Sequence, residues 1–196
     1  VKVVDIGTGA NLVYPIIGAA SYGWQFIASE ANQASYQAAL GNIQRNDNLQ
    51  DAIQLIKQSD SATIFNGIIE PNAHICLTLC NPPFHASAKE AQAGTQRKNT
   101  NLKLEPNKKN SNRSTLNFGG QHNELWCKGG ELSFIKRMIR ESKEHGQQVA
   151  WFTCLVSKKE NVESLQNSGK KLGVKEFKII PMHQGNKVTR IVCWRF

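Results

Sequence analysis

Segments typical of buried strands alternate with segments typical of helices along most of this chain. Val1–Ile6 is rich in β-branched residues, and Trp24–Ser29 and Ala52–Lys57 are short apolar runs. Ala31–Asn46, between the last two, is rich in Ala and Gln with helical spacing. Parallel strands joined by crossover helices produce this alternation. We therefore predict an α/β fold, with a mostly parallel sheet and helices on both faces.

The rest of the chain continues the alternation and ends in a predicted hairpin. The predicted strands are Ile75–Cys80, Val149–Val156, Glu176–Pro181 and Thr189–Phe196, and the predicted helices are Glu131–His145 and Lys159–Leu172. The turn-like Gln184-Gly185-Asn186 predicts that the last two strands pair antiparallel at the sheet edge. This makes seven strands, which we assign to a single domain over residues 1–196.

The composition is that of a globular protein with a strong positive charge. Hydrophobic residues make up 40% of the 196 residues, and mean hydropathy is −0.42. No stretch reaches the roughly 20 apolar residues of a membrane span, and no signal peptide is predicted. The net charge of +9 favours a polyanionic partner such as RNA or DNA. We expect a cytoplasmic protein, acting as a monomer.

The five cysteines are predicted to be reduced core thiols. Their number is odd and they lie mostly in apolar runs, which argues against a disulfide framework. Cys76 and Cys80 would share a strand face with His74, but no second ligand pair with zinc spacing exists elsewhere. We therefore predict no metal site. The positions are Cys76, Cys80, Cys127, Cys154 and Cys193.

A glycine loop follows the first predicted strand. Gly7-Thr8-Gly9 would let the backbone turn tightly and approach a ligand, although Leu12 replaces the third glycine of the dinucleotide pattern. Asp5 precedes the loop, and Glu30 ends the second strand, where a carboxylate can accept hydrogen bonds from ribose hydroxyls. Together these residues predict a nucleoside-containing cofactor, with S-adenosylmethionine favoured over NAD.

The tetrapeptide Asn81-Pro82-Pro83-Phe84 directly follows the fourth predicted strand. In a doubly wound sheet this strand lies beside the first, so the tetrapeptide would lie next to the glycine loop. The Asn81 side-chain carbonyl and the Pro82 backbone carbonyl can accept the two hydrogens of a planar amine and stabilise its developing positive charge. Phe84 can stack on a flat substrate ring. This pattern predicts methylation of an exocyclic nitrogen.

The segment after the tetrapeptide is polar and basic. His85 follows at once, and we interpret it as a positioning or surface residue rather than a base. Residues 86–121 have almost no apolar periodicity, and a segment this long without structure of its own is usually functional or disordered. Its cations could contact the phosphates of a nucleic acid. They include Arg97, Lys98, Lys103, Lys108, Lys109 and Arg113.

These motifs resemble the bacterial ribosomal RNA large subunit methyltransferase F family. The resemblance covers nearly the whole chain. That bacterial family is similar in turn to the eukaryotic methyltransferase-like family that acts on U6 small nuclear RNA. It rests on Asp5–Pro15, Asn66–Ile69, Leu79–His85, Leu116–Cys127, Gly129–Glu131 with Phe134-Ile135-Lys136, Trp151–Ser157 and Cys193–Phe196.

The resemblance implies a class I methyltransferase fold and methyl transfer from S-adenosylmethionine to N6 of one adenine in 23S ribosomal RNA, with S-adenosylhomocysteine as product. Asp5, Gly7-Thr8-Gly9, Glu30 and Asn81 would contact the cofactor, with the Ser61–Phe65 turn near its adenine. The resemblance also implies that Asn81, Pro82 and Phe84 hold the target base. The base or flanking RNA would also meet Pro83 and His85. Residues 86–121 would form a mobile basic loop near the RNA, with Gly119-Gly120 as its hinge.

One departure and several alternatives accompany this interpretation. Family members carry a substantial region before the glycine loop, whereas this chain begins at the first strand. Asn-Pro-Pro-aromatic motifs also serve guanine-N2 methylation of ribosomal RNA and adenine methylation of DNA. Protein-glutamine methylation fits less well, because those enzymes usually carry Tyr after the prolines. A noncatalytic RNA-binding domain on the same scaffold is the alternative outside catalysis.

Overall fold

The computed structural model describes residues 1–60, 62–83, 127, 129–184 and 187–196. Its centre is one sheet of seven strands in the order β3-β2-β1-β4-β5-β7-β6. The strands are β1 (Lys2–Ile6), β2 (Gln25–Glu30), β3 (Ile53–Lys57), β4 (Ile75–Cys80), β5 (Val149–Val156), β6 (Glu176–Gln184) and β7 (Lys187–Arg195). The helices are α1 (Val13–Tyr22), α2 (Gln33–Gln44), α3 (Asp47–Gln50), α4 (Gly130–Ser142) and α5 (Asn161–Leu172).

The strand pairing confirms the predicted sheet. β1 pairs in parallel with β2 and β4, β2 with β3, and β4 with β5. β7 is antiparallel to both β5 and β6, so the predicted C-terminal hairpin at the sheet edge is confirmed. The turn residues Gly185 and Asn186 lie outside the described residues.

Helices cover both faces of the sheet. Successive strand residues point to opposite faces, and here both sets are apolar and need covering. Val3, Phe26 and Ala28 belong to a core that includes residues of α2 and α3, while Val4 and Ile27 belong to the opposite core. That opposite core is the larger one, and it includes Ile135, Met138 and Ile139 of α4 and Leu165 of α5. Each helix therefore packs on the sheet face to which its contacting strand residues point.

Several sequence predictions were incomplete or wrong. The short helix α3 was not predicted, and residues 62–70 form turns whose apolar side chains enter the core. Cys76 is exposed and Cys127 half-buried, so the prediction of core thiols is wrong for Cys76 and only partly met for Cys127. Cys76 lies near the start of β4, at the amino edge of the sheet, whereas Cys80 at its end is buried.

We expect Gly18→Ala to destabilise the fold by about 1–3 kcal/mol, because the added methyl group overpacks the interface between α1 and β2. A Cβ atom there would lie 2.4 Å from the Phe26 ring, and Phe26 is buried. Gly41→Ala in α2 is the matched control, since the nearest atom to a Cβ there is at the end of the flexible Arg45 side chain, 3.4 Å away. It should gain up to about 1 kcal/mol of helix propensity. Urea unfolding of both variants measures the difference, and equal stabilities would contradict the packing argument.

Candidate active site

The ends of three parallel strands align at the carboxyl edge of the sheet. Ile6, the last residue of β1, pairs with Ser29 of β2 and Cys80 of β4. The next residue, Gly7, therefore lies beside both Glu30 and Asn81 in the strand order. The Thr8 amide donates a hydrogen bond of 2.9 Å to the Ser29 carbonyl and anchors the glycine loop at this edge.

Glu30 holds the glycine loop through its buried carboxylate. Oε2 accepts a hydrogen bond of 2.9 Å from the Gly9 amide, and Oε1 accepts one of 2.6 Å from the Asn32 amide. The Asn42 side chain of α2 donates to the Ala10 carbonyl at 3.0 Å. The carboxylate thus binds the protein's own backbone. The predicted ribose contact of Glu30 stays a prediction.

The glycine loop needs left-handed backbone conformations. Gly7 and Gly9 have φ values of 69° and 66°, which cost little only in the absence of a Cβ atom. Leu12, at the place of the missing third glycine, also has a positive φ of 49°, and its side chain is fully buried. Burial of this side chain offsets the cost of its conformation, so the loop closes without a third glycine.

A cavity of about 250 Å³ opens where these strand ends meet. Six of the residues predicted from sequence line it: Gly7, Glu30, Asn81 and Pro83, with Thr63 and Ile64 of the expected Ser61–Phe65 turn. The other lining residues are Ile6, Ser29, Ala31, Gln58, Cys80, Cys127, Phe134 and Arg137. The structure therefore brings the glycine loop, the acidic strand end and the start of the tetrapeptide to one site.

The remaining predicted residues fall into two groups. Pro82 is buried, and Asp5, Thr8 and Gly9 are not among the cavity-lining residues. The other predicted residues lie outside the described residues, as does Ser61, the first residue of the expected turn. They are Phe84, His85, Arg97, Lys98, Lys103, Lys108, Lys109 and Arg113, together with Gly119-Gly120 and residues 86–121 as a whole. Their predicted roles remain predictions.

Asp5 lies buried beneath the glycine loop, with 1% of its surface exposed. Burial raises the pKa of its carboxyl from 3.8 to about 7, and the Glu30 carboxylate raises it further, whereas the Thr8 hydroxyl lowers it. Asp5 Oδ2 has no hydrogen-bond partner among the described residues. A carboxyl group in this state gains from any cationic or hydrogen-donating group that reaches it.

Tyr14 of α1 lies close enough to Asp5 to interact electrostatically with the Asp5 carboxyl. Burial raises the pKa of its hydroxyl to about 12, and the Asp5 carboxyl adds to the shift. The phenol therefore remains neutral near pH 7. Tyr14 was not predicted as a site residue, because one aromatic residue in the first turn of a helix carries no chemical signature of its own.

A second glutamate fixes the loop on the far side of the cavity. Glu141, near the end of α4, accepts hydrogen bonds of 2.7–2.9 Å from the amides of Ile64, Phe65 and Asn66. Because Thr63 and Ile64 line the cavity, this carboxylate shapes its wall from outside. The sequence separation of about 76 residues left no local signal for the contact.

Glu131, at the start of α4, also holds a loop through its carboxylate. This buried carboxylate accepts hydrogen bonds from the Ser157 amide at 2.7 Å, from the Ser157 hydroxyl at 2.6 Å and from the Asn161 side chain at 2.7 Å. It thereby connects the start of α4 to the loop between β5 and α5. Both ends of α4 are therefore tied to loops by carboxylates.

A family model described as RNA methyltransferase matches residues 1–196. The chain belongs to this family. It is 43% identical over 205 residues to ribosomal RNA large subunit methyltransferase F of Vibrio parahaemolyticus, covering 100% of this chain and 55% of that relative. The chain thus spans little more than half of that relative's length. The family resemblance seen in the sequence is confirmed.

Solved structures of methyltransferase domains share the fold of this chain. The catalytic domain of hMettl16 in complex with a MAT2A 3′UTR hairpin superposes with a TM-score of 0.80 at 29% identity, over 100% of this chain and 63% of that one. The N-terminal domain of human METTL16 in complex with SAH gives a TM-score of 0.72 at 25% identity, over 100% and 61%. The predicted methyltransferase fold is therefore confirmed.

Two findings concern other classes of site within the described residues. No group of three or more His, Cys, Asp or Glu residues there is arranged to hold a metal ion. Within the same part of the chain, no helix is long and apolar enough to cross a membrane.

We expect Asp5→Asn to change how stability depends on pH. The folded-state pKa of about 7 lies above the unfolded value of 3.8, so the folded state loses stability as pH rises through this interval. The variant lacks this loss. Relative to wild type it should gain free energy of unfolding between pH 4 and 8, by at most about 4 kcal/mol. Parallel stability curves in urea titrations at several pH values would refute the assignment.

We expect Glu141→Gln to loosen the loop at residues 64–66, because an amide nitrogen replaces one carboxylate oxygen facing its backbone amides. The loss should be about 1–3 kcal/mol, with faster hydrogen exchange at those amides. Glu144→Gln removes the same charge from an exposed neighbour and serves as the control. Exchange rates at Ile64 and Phe65 that match the control would show that the carboxylate does not hold this loop.

Proposed function

We propose that this chain transfers a methyl group from S-adenosylmethionine to N6 of one adenine in 23S ribosomal RNA. The observation that carries the proposal is the adjacency of Asn81 and Gly7 at the aligned ends of β4 and β1, on the wall of one cavity. Membership of the RNA methyltransferase family and the name of its 43% identical relative support the choice of substrate. A ribosomal RNA substrate implies action in the bacterial cytoplasm. We further propose that the 196 residues form a single domain that acts as a monomer.

The residues at the cavity fit this cofactor. Glu30 offers carboxylate oxygens for ribose hydroxyls, and Gly7 leaves the backbone open to close approach. Ile64 supplies an apolar wall, and Thr63 beside it is polar. Asp5 Oδ2, buried and without a partner among the described residues, suits the ammonium group of an amino acid. We assign cofactor binding to Asp5, Gly7-Thr8-Gly9, Glu30 and Asn81. When bound, S-adenosylmethionine supplies a methyl group activated by its positively charged sulfur.

Asn81 and Pro82 would hold the acceptor nitrogen. Asn81 is exposed and lines the cavity, so its amide oxygen is available to an incoming base. Pro82 is buried, its own ring fixes φ and the following Pro83 restricts ψ, so its carbonyl has a defined direction. Two acceptors would bind both hydrogens of the exocyclic amine and stabilise the positive charge that develops on nitrogen. Phe84 would stack on the base, with Pro83 and His85 nearby.

The reaction needs no strong base among the chain's residues. An aromatic amine becomes acidic only as its nitrogen forms the new bond to carbon, and its proton can then pass to water. The acceptors at Asn81 and Pro82 act before that point by orienting the nitrogen lone pair. The role of the protein is therefore positioning and electrostatic stabilisation.

RNA affinity is proposed to come in part from the basic segment after the tetrapeptide. Its cations would neutralise phosphates and give binding a steep dependence on salt. The net charge of +9 supports this role. The residues concerned are Arg97, Lys98, Lys108, Lys109 and Arg113.

The proposed reaction is tested by incubating the chain with S-adenosylmethionine and 23S ribosomal RNA that lacks the modification, then locating the methyl group by mass spectrometry. N6-methyladenine at a single position is the expected product. Methyl on guanine N2, preferential methylation of DNA, or methyl on a glutamine side chain would contradict the proposal. RNA binding without cofactor binding in calorimetry would favour a noncatalytic RNA-binding domain.

In the same assay Asn81→Ala should lower kcat by about 10²–10³-fold, since it removes one acceptor for the reacting amine. Its melting temperature should match wild type, because the side chain is exposed. Asn72→Ala, an exposed asparagine before β4 at the opposite edge, is the matched control and should retain full activity. Turnover of Asn81→Ala comparable to that control would refute the mechanism.

A further inference from the structure

The outward face of α4 carries a row of polar and basic side chains. The buried face of this helix places Ile135, Met138 and Ile139 in the core. Four polar or basic positions recur with helical spacing and are exposed or half-buried: Ser133, Lys136, Arg137 and Arg140. We call these four residues the α4 stripe.

The α4 stripe connects the cofactor cavity to two further depressions. One of about 300 Å³ contains the whole stripe and shares Cys127, Phe134 and Arg137 with the cavity. The other, about 570 Å³, is a groove between α4 and α5 that again contains Lys136 and Arg140. The three hollows therefore form a continuous path that starts at the cavity containing Asn81.

The direction of the path follows from the fold. Both α4 and α5 begin at the carboxyl edge, because each leads back from the end of one strand to the start of another. The Glu131 carboxylate ties their first turns together through Ser157 and Asn161. The path thus runs away from the site along α4.

Two cations of the stripe have charge available for a ligand. Neither Lys136 nor Arg140 forms an ion pair with another residue in the part of the chain that the structure describes. Across the groove, Glu160 and Glu163 at the start of α5 would repel an anionic ligand, whereas Lys171 near the end of α5 adds a cation. An anionic strand would therefore follow the α4 side where it passes the start of α5.

We propose that the α4 stripe binds the phosphates of the RNA strand that flanks the target base. The assignment rests on the proposed function, and it adds a surface on the folded core to the basic segment predicted from sequence. From Ser133 to Arg140 the helix rises about 10 Å, which corresponds to about three phosphates of a stacked strand. Lys136 and Arg140 supply charge, and Ser133 a hydroxyl donor. Because the path begins at the cavity, this strand is continuous with the base held at Asn81.

The experiment compares Lys136→Gln/Arg140→Gln with Lys170→Gln/Lys175→Gln, two exposed lysines outside all three hollows. Both double variants lose the same charge. The probe is a short fluorescein-labelled single-stranded RNA of uridines with one central adenine, titrated by fluorescence anisotropy at several salt concentrations. The stripe variant should bind about tenfold more weakly at low salt, and its log–log salt slope should be shallower by about 1.4. Calorimetry with S-adenosylhomocysteine should give wild-type affinity for both.

The outcomes separate the two proposals. If wild type binds the RNA and the two double variants lose affinity equally or not at all, the α4 stripe is not the phosphate surface, and the proposed methyl transfer stands. If wild type binds no RNA at any salt concentration, the RNA substrate and the stripe both fail. A stripe variant with weakened S-adenosylhomocysteine binding would overturn the assignment, because the cations would then serve the cofactor cavity.

Discussion

The carboxyl edge of the sheet depends on the Glu30 carboxylate. Parallel pairing brings the ends of β1, β2 and β4 side by side, but the glycine loop has no strand partner beyond Thr8. Glu30 replaces that partner by accepting the Gly9 and Asn32 amides. An unsatisfied buried amide would cost about 1–3 kcal/mol, so the bonds strongly favour one loop conformation. The cavity wall at Gly7 is therefore set by a side chain from the neighbouring strand.

The same principle shapes the opposite wall. Residues 62–70 form no strand or helix, yet they place Ile64 and Phe65 in the core and Thr63 at the cavity. Such a turn-rich segment keeps its backbone donors unpaired unless another element accepts them. Glu141 accepts three of them at once. Carboxylates therefore position both sides of the site, and each uses charge-assisted bonds to backbone amides that the local turns leave unpaired.

Local patterns predicted the strands well, and they predicted that Gly7 and Asn81 lie close together. β4 and β5 agree with the predicted bounds residue for residue, since each is an apolar run between clear turn signals. Gly7 and Asn81 were found because their chemistry resides in residue type and in position after a strand. Glu131 and Glu141 were missed because a single acid on an amphipathic helix is usually solvated, and their partners lie 26 and about 76 residues away. Cys76 was placed wrongly because alternation along a strand does not reveal where the covering helices stop.

The charge distribution on α4 explains how one helix can serve both the interior and the surface. Its formal charge is small, because Glu131 and Glu141 oppose Lys136, Arg137 and Arg140. The two acids, however, are directed at backbone amides, whose N–H groups donate hydrogen bonds that stabilise the carboxylate charge. The outward face is left with the cations alone. A sum of charges over the helix would therefore miss the basic surface, whereas the direction of each side chain reveals it. Both carboxylates are turned toward the loops that they hold, so the cations dominate the outward face that a polyanion would meet.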